Sequence, residues 1–582
     1  MKRWTSPPGR GANIRRTPAR TTTIIRMRKG TRQRGATEGP DPDSRAPRYV
    51  GLYSSPGNLR PALRCHGDGL EAAGKSMDAA RTPLFRTPLL NGKTAAILFL
   101  LGLSCTVGGR RRDGSTPMTA PASGSRVSRP EGAAIAAEFA RTLRSMPPER
   151  FAEALVDLAD QADLDALRRR FDQQGLSRSR RRRETIAALE EVAARRRPLE
   201  AWLDRELLSG AVDVWRGYAI VNRLYISAKP SLLLEMAGRP EVANIFPVRD
   251  DRISPAPGEE RAQERVPFRL KADDRPVPQR SWALDAIGAR EAWHEGWDGR
   301  GIVVGSLDTG VAAKHVSLSE NHRQTAGWFD PLRGTTEPND DHGHGTETLG
   351  CAVGRGKEPG EVGIGPGATW IAARANPRNF YNSHAMTASA DWMLRVGGAD
   401  VVLCAWGHDP GRCDVSDQPV FRALRLAEVV VALPAGNSGP MPGSAETPAG
   451  LAPLFKGDLP PLSVAAATST GAILDSSARG PSPCSPETQF PWVSAPGFRV
   501  RVPSSVSVDS YDSADGTSLA AGYVAGAAAV LLQRCPSLDV NRLEEALART
   551  ATDLGQEGPD NDSGYGMINL PAALRWVAQN CH

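Results

Sequence analysis

Residues 515–522 read DGTSLAAG, and a run of small and apolar residues continues from them to Gln533. Alanine and leucine are strong helix formers, so this run predicts a helix with Ser518 at or near its N-terminus. There the exposed backbone N–H groups and the positive end of the helix dipole favour developing negative charge. Ser518 is therefore a candidate nucleophile, and because a serine hydroxyl is weakly reactive alone, it needs an adjacent base.

The candidate base is His344, in the stretch DHGHGT at residues 341–346. Glycines on both sides let the backbone turn tightly and leave the imidazole accessible. The alternative is a metal ion held by His342 and His344 together. No set of partners that would complete such a site accompanies the two histidines, so we expect no metal here.

Asp308 is the candidate third member of the site and ends an apolar run in SLDTG, residues 306–310. An aspartate there could fix the tautomer of His344 and stabilise the imidazolium that forms when the ring takes the proton of Ser518. Many strands end in Asp for turn reasons alone, so this assignment depends on its combination with the other residues.

A fourth candidate is Asn437, in ALPAGNSG at residues 432–439. Its amide N–H groups could donate to the oxyanion of a tetrahedral intermediate, beside the backbone N–H of Ser518. The alternative is an asparagine that serves only the turn before Gly439.

Short apolar runs alternate with helical patterns in the second half of the chain. The runs predict strands, and they lie at residues 302–308, 369–373, 400–405 and 428–433. The helical patterns between them lie at residues 385–396 and 419–427. This alternation predicts an α/β, doubly wound, mostly parallel sheet with helices on both faces. Functional groups of such sheets gather at the carboxyl ends of the strands, where the candidate residues fall.

The order Asp, His, Asn, Ser along the chain resembles that of the subtilisin-like (S8) serine peptidases, with a bacillopeptidase F-like subgroup as the nearest match. The resemblance runs from about residue 277 to the C-terminus. It implies a serine endopeptidase that acts on polypeptides without a required cofactor, and it leaves structural calcium open. It also implies substrate binding by Ala405, Trp406 and Gly407, which resemble the lining of the primary specificity pocket, and by Gly436.

Three positions depart from the family pattern. Glu347 replaces a second histidine, Ala405 replaces a serine, and Gly522 replaces a proline. Glycine is less favourable than alanine in a helix by about 1 kcal/mol, so Ser518 would be held less firmly. These departures leave an alternative, a catalytically weak or inactive subtilisin-fold binding lipoprotein. Hydrolysis of a non-peptide ester or amide is another.

A smaller α+β domain is predicted at residues 131–248, with a strand near 151–158, a long helix at 185–208 and a final strand at 242–246. The pattern predicts a split βαβ, ferredoxin-like domain. It is similar to the I9 propeptide inhibitor, which implies an intramolecular partner of the catalytic domain. Residues 249–280 are then a linker with the maturation cleavage, and 281–582 the catalytic domain.

The arginine-rich run at residues 178–183 is predicted to be a solvated helix face rather than a nucleic-acid site. The formal net charge of +7 does not favour nucleic acid either. Residues 1–76 hold 16 Lys and Arg against 5 Asp and Glu, so the chain beyond them is mildly acidic. We therefore expect no nucleic-acid partner.

The basic segment 1–76 has the composition of a disordered extension, and we expect translation to start at Met77. Residues 77–105 then form a signal peptide, with a basic flank, a short apolar core and Cys105 after Leu-Ser. This end resembles a bacterial lipoprotein signal, which implies lipid attachment at Cys105, a membrane partner and an exported or envelope protein. Residues 106–130 read as a flexible tether.

Six further cysteines follow residue 350. In an oxidising compartment they allow three disulfides, with 15 pairings open. Free buried thiols are the alternative.

Overall fold

The computed structural model describes residues 125–126, 135–252, 277–356, 362–377 and 380–581. The predictions for residues 1–76, for the signal peptide with Cys105 and for most of the tether lie outside the described residues. Among the described residues, no helix is both long and apolar enough to span a membrane.

A small α+β domain occupies residues 135–252. After the short strand Ser125–Arg126 (β1), its elements are Ala137–Ser145 (α1), Ala152–Leu158 (β2), Asp160–Gln161 (β3), Leu164–Gln173 (α2), Arg178–Ala194 (α3), Arg197–Ser209 (α4), Val212–Tyr218 (β4), Arg223–Ala228 (β5), Pro230–Met236 (α5), Val242–Pro247 (β6) and Asp250–Arg252 (β7). Four strands form an antiparallel sheet in the order β4-β5-β2-β6. This order confirms the ferredoxin-like prediction.

The helical part of this domain differs from the prediction. The single helix predicted at 185–208 is wrong, because α3 ends at Ala194 and α4 starts at Arg197. Pro198 lies in the first turn of α4, where its missing N–H has no helical partner to lose, whereas inside a continuous helix it would break a hydrogen bond. Helix α2 was not predicted, although Asp163, which accepts the Ala166 N–H at 2.9 Å, is a capping residue at its start.

The larger domain contains the remaining elements. They are Trp282–Ile287 (α6), Ala289–His294 (α7), Val303–Asp308 (β8), Trp328–Phe329 (β9), His344–Val353 (α8), Thr369–Arg374 (β10), Phe380–Asn382 (β11), Ser383–Trp392 (α9), Val401–Leu403 (β12), Gln418–Leu426 (α10), Val430–Pro434 (β13), Leu462–Ala467 (β14), Val493–Pro496 (β15), Val500–Pro503 (β16), Tyr511–Ala514 (β17), Thr517–Arg534 (α11), Val540–Arg549 (α12) and Leu570–Asn580 (α13). A π-helical turn, Met393–Gly397, follows α9.

Seven strands form one parallel sheet in the order β15-β14-β13-β12-β8-β10-β9. Successive residues of a strand pack in the hydrophobic cores on opposite faces of the sheet. Trp370 and Ala372 pack in the core that contains α11, whereas Ile371 and Ala373 pack in the core that contains α9 and α10. Because both faces are buried, the strands read as continuous apolar runs. The α/β prediction is confirmed, and the four predicted strands are β8, β10, β12 and β13.

Of the six later cysteines, four form two disulfides and two are free buried thiols, so each of the two expectations holds for part of the set. Cys413 bonds to Cys484, and Cys535 bonds to Cys581. The other two, Cys351 and Cys404, are free and buried, and burial raises the pKa of both thiols.

The prediction that the arginine run is solvated is wrong for part of the run. Arg178 and Arg182 on α3 contact the larger domain where β12 begins. Arg182 donates to the carbonyl of Ala399 at 2.7 Å and to Asp400 Oδ1 at 3.1 Å. Arg178 donates to the carbonyl of Glu428 at 3.0 Å and pairs with Asp400 at 3.4 Å. The sequence could not indicate this, because the acceptors lie more than 200 residues further along the chain.

Candidate active site

Asp308 lies at the carboxyl end of β8, between β10 and β12, and is 1 % exposed. Its Oδ1 accepts the Thr309 N–H at 2.7 Å and lies 2.8 Å from Nδ1 of His344. Its Oδ2 accepts the Thr348 hydroxyl at 3.2 Å. A carboxylate held in this way keeps the proton of the imidazole on Nδ1, so Nε2 is the basic nitrogen.

The N-terminus of α8, which begins at His344, is held by Asp340. The Asp340 carboxylate accepts the backbone N–H of Gly343 at 2.8 Å and of Thr346 at 3.0 Å. It also accepts the Thr309 hydroxyl at 2.9 Å. Because Thr309 follows Asp308, one carboxylate fixes the loop of Asp308 and the helix of His344 together. Asp340 was not among the predicted residues, although an Asp before a helix start is a known capping signal.

Two glycines beside His344 are required by the geometry. Gly343 has φ +107°, a conformation that disfavours residues with a Cβ atom. A Cβ at Gly345 would lie 2.2 Å from the Gly310 carbonyl oxygen and 3.0 Å from Cβ of Asp308. The close approach of the helix to the Asp308 loop therefore depends on glycine at 345.

Ser518 is the second residue of α11 and is 6 % exposed. Its hydroxyl donates to the carbonyl of Ala405 at 3.0 Å. Gly516, which precedes the helix, has φ +146°. The predicted position of Ser518 at a helix N-terminus agrees with the structure.

The packing of α8 against α11 brings His344 and Ser518 to the same region. A Cβ at Gly522 would lie 2.5 Å from the Thr348 carbonyl oxygen, and a Cβ at Gly526 would lie 2.4 Å from that of Ala352. Both helices advance by four residues between these contacts, so they run in the same direction in register. The same four-residue step, taken one turn further back, leads to Ser518 on α11 and to His344 on α8, which lie in the first turns of the two helices. Gly522 thus has a packing role in place of the looseness inferred from its helix propensity.

Asn437 follows β13 and is oriented by the residue beside the candidate nucleophile. Its Oδ1 accepts the backbone N–H of Thr517 at 3.1 Å and the Thr517 hydroxyl at 3.0 Å. With Oδ1 committed in this way, Nδ2 is the amide atom left to donate toward a group bound at Ser518.

Of the four candidate substrate-binding residues, Ala405 contacts Ser518 directly. The ring of Trp406 lies 5.3 Å from that of Tyr381. Cβ atoms added at Gly407 and Gly436 would both meet the side chain of Glu446, at 2.5 Å and 2.4 Å. The two glycine segments therefore enclose this one carboxylate.

Glu446 is a candidate residue that the sequence analysis missed. It is 1 % exposed, and its Oε1 accepts the backbone N–H of Asn437 at 2.9 Å and the Ser438 hydroxyl at 2.7 Å. The carboxylate therefore positions the segment that carries the amide of Asn437. The available signal was a charged residue inside the small-residue stretch 443–450, which does not distinguish a buried role from an exposed one.

Two groups of side chains bear on metal binding, the His342–His344 pair and a cluster of one histidine and two aspartates. The rings of His342 and His344 are 6.3 Å apart, and burial, with His344 nearby, lowers the pKa of His342 to about 4. Among the described residues, the group with ligand atoms close enough for a metal is His408, Asp409 and Asp414, within 4.8 Å of one another. The two carboxylates of that group bind Arg249.

The strand order of this parallel sheet, the Asp308–His344 pair at the end of a central strand and Ser518 at the start of α11 together define a subtilisin-like α/β fold. The model of the subtilase family (Peptidase S8) matches residues 299–566. Subtilisin DY of Bacillus licheniformis is 31% identical over 298 residues, which are 50% of this chain and 98% of the relative. The chain belongs to the subtilase family.

Other relatives are longer than the matched region. Bacillopeptidase F of Bacillus subtilis is 28% identical over 467 residues, 74% of this chain, but the match spans 30% of the relative. The minor extracellular protease Epr of the same organism is 24% identical over 371 residues, 63% of this chain and 52% of the relative. The chain thus spans a third to a half of the length of these two proteins.

Proposed function

We propose that this protein is a serine endopeptidase in which Asp308, His344 and Ser518 form the catalytic triad. The observation that carries the proposal is the Asp308–His344 pair at the head of α8, which packs against α11, the helix whose second residue is Ser518. The named peptidase relatives support the same reaction class.

In the proposed mechanism, Nε2 of His344 takes the proton of Ser518 as the hydroxyl oxygen attacks the scissile carbonyl carbon. Nδ2 of Asn437 and the backbone N–H of Ser518 donate to the oxyanion. The imidazolium then protonates the leaving amine as the C–N bond breaks. A water molecule, deprotonated by the same ring, attacks the acyl-enzyme and releases Ser518. Each step uses protein groups and water, so no cofactor is required.

We also propose that residues 131–248 act as an inhibitory propeptide. The turn between β4 and β5 binds α9, because Asp391 Oδ1 accepts the backbone N–H groups of Ala219 and Ile220 at 2.9 Å and 2.8 Å. His384 stacks on Tyr225 with ring centroids 3.6 Å apart, and its Nε2 lies 2.7 Å from the Tyr218 hydroxyl. The α3 arginines add a second attachment near β12.

The segment after β6 supports the inhibitory role. Residues 249–252 were assigned to the linker, but Asp250–Arg252 (β7) pairs antiparallel with Phe380–Asn382 (β11). Strand β11 leads directly into α9, and Tyr381 contacts Trp406, the neighbour of the Ser518 acceptor Ala405. This pairing supports the proposal that the end of the small domain occupies the place of a peptide substrate, with the maturation cleavage expected between residues 253 and 280.

The test is labelling by a fluorophosphonate probe combined with intact mass. The wild-type protein should lose the small domain during expression and then incorporate one probe. Ser518→Ala should remain full length and unlabelled, whereas Ser319→Ala, at an exposed serine, should behave as wild type. A processed protein that neither labels nor cleaves peptides would favour the alternative of an inactive binding lipoprotein, and turnover of esters alone would favour the non-peptide alternative.

For location, we propose export through the signal at residues 77–105 and lipid attachment at Cys105, with the membrane as the partner of that lipid. One relative is named an extracellular protease, which supports export. Metabolic labelling with a fatty acid should mark the wild type and not Cys105→Ser, and the variant should leave the membrane fraction. Equal release of both proteins would contradict the lipid.

A further inference from the structure

The segment that ends the small domain is held to the larger domain by its backbone. Besides the pairing of β7 with β11, two hydrogen bonds hold the backbone of Arg249. Its N–H donates to the Ser383 hydroxyl at 2.9 Å, and its carbonyl oxygen accepts the Ser383 N–H at 3.1 Å. A peptide that adds to a strand edge gains affinity from such main-chain bonds and specificity from the pockets that its side chains enter. The position of Arg249 along this edge is therefore fixed independently of its side chain.

The side chain of Arg249 is bound by two carboxylates. One terminal nitrogen donates to Asp409 Oδ2 at 2.9 Å, and the other donates to Asp414. The guanidinium also lies over the Tyr381 ring, 5.7 Å from its centroid. Two charge-assisted hydrogen bonds and an aromatic face form a geometry that suits a planar cation.

The two carboxylates are held in place by their own segment. His408 Nδ1 lies 3.1 Å from Asp409 Oδ2, and the backbone N–H of Ser416 donates to Asp414 Oδ1 at 2.8 Å. The disulfide of Cys413 links this segment to a distant loop. The site is thus supported on both sides without any contribution from Arg249.

The environment keeps both carboxylates charged. Burial acts to raise their pKa values, but for Asp409 hydrogen bonds from Arg249 and His408, and for Asp414 hydrogen bonds from Ser416 and Arg249, outweigh it, so the pKa of each is lowered. A negative pair beside the substrate strand repels acidic side chains and attracts basic ones.

We infer that Asp409 and Asp414 form a specificity site that selects polypeptide substrates with arginine or lysine at one position. That position is the one that Arg249 occupies, directly before the residues that pair with β11. This inference rests on the proposed function and names its substrate class. In the precursor, Arg249 fills the site as a substrate residue would.

The test compares quenched peptides that reproduce residues 245–258, with Arg249 retained or replaced by Lys, Gln or Glu. With the processed enzyme, kcat/KM for the Arg peptide should exceed that for the Gln peptide about tenfold, as loss of charge-assisted bonds at a partly exposed site implies. Lys should rank second and Glu last. The order should level out as the pH falls through the pKa values of the two aspartates, because protonation removes their charge.

The double variant Asp409→Asn with Asp414→Asn should remove this ranking. A matched pair of charge losses at exposed positions, Glu295→Gln with Glu557→Gln, should keep the ranking. Equal kcat/KM for all four peptides, or a ranking that survives in the Asp409/Asp414 variant, overturns the inference.

A failure of labelling in the wild type would count against the proposed function alone. Peptide binding to the same protein, followed by fluorescence anisotropy, would then decide the inference, because a recognition site ranks Arg, Lys, Gln and Glu whether or not Ser518 reacts. Saturable binding of calcium that abolishes the preference for Arg at micromolar concentrations would assign Asp409 and Asp414 to a cation instead, and would also overturn the inference.

Discussion

Replacing Asp308 by asparagine removes the charge that faces His344 and keeps the shape of the side chain. The oxygen of the new amide can stay at the place of Oδ1, where it accepts from Thr309 N–H and from Nδ1 of His344, now 2.7 Å and 2.8 Å from that oxygen. The new amide nitrogen then faces the Thr348 hydroxyl, which can turn to accept from it. The neutral histidine is therefore still held in the useful tautomer.

The substitution destabilises only the protonated form of His344, because the imidazolium no longer has an opposite charge beside it. Two unit charges about 4 Å apart interact by about 4 kcal/mol at the effective dielectric constant of about 20 that suits protein sites. Since each 1.36 kcal/mol is tenfold in rate, kcat should fall about 10³-fold, with KM changed little because the peptide does not contact Asp308.

The assay is steady-state hydrolysis of a quenched peptide by the processed enzyme, prepared for the variant by cleaving its precursor with a small amount of wild-type protein. Thr348→Val is the matched control, because it removes one hydrogen bond to the carboxylate and keeps the charge, so it should cost about tenfold or less. An Asp308→Asn enzyme within tenfold of wild type would refute the assignment of Asp308 as the group that stabilises the imidazolium.

Three further variants test the surroundings of the proposed triad and the attachment of the small domain. Asn437→Ala should lower kcat about 10²–10³-fold with KM nearly unchanged, the usual loss for one oxyanion donor, and an unchanged kcat would remove Asn437 from the site. Glu446→Gln should lower kcat about tenfold, because the segment of Asn437 loses a charged acceptor; a change in KM alone would show that Glu446 acts on substrate binding instead. Arg178→Ala with Arg182→Ala should raise the rate at which the cleaved small domain dissociates by about tenfold or more, as measured by surface plasmon resonance, whereas Arg183→Ala, at an exposed position of the same helix, should leave it unchanged.

Much of the fold was predictable because both faces of the parallel sheet are buried, so β8 and β10 appear as uninterrupted apolar runs. The position of Ser518 at a helix start was also predictable, because the run of small and apolar residues that follows it favours a helix. The helix break at Pro198 was readable in principle, since proline is tolerated in a first turn and disfavoured in a helix interior.

What could not be predicted depends on partners that are distant in sequence. Arg182 and its acceptor Asp400 are separated by 218 residues, and an arginine that will be buried against carbonyls looks the same as a solvated one. Glu446 differs, because its hydrogen-bond partners Asn437 and Ser438 are only nine and eight residues away. What the sequence does not show is that the fold brings Gly407 and Gly436 against its side chain.

Two glycines of α11, Gly522 and Gly526, connect these observations. A side chain at Gly522 or Gly526 would push α11 away from the carbonyls of Thr348 and Ala352, and a shift of 1 Å at the reacting groups can cost about 10²-fold in rate. The separation of His344 and Ser518 therefore depends on contacts that lie one and two turns away from them, where α11 has no Cβ atoms. A substitution that leaves every catalytic side chain in place can, by this route, still reduce activity.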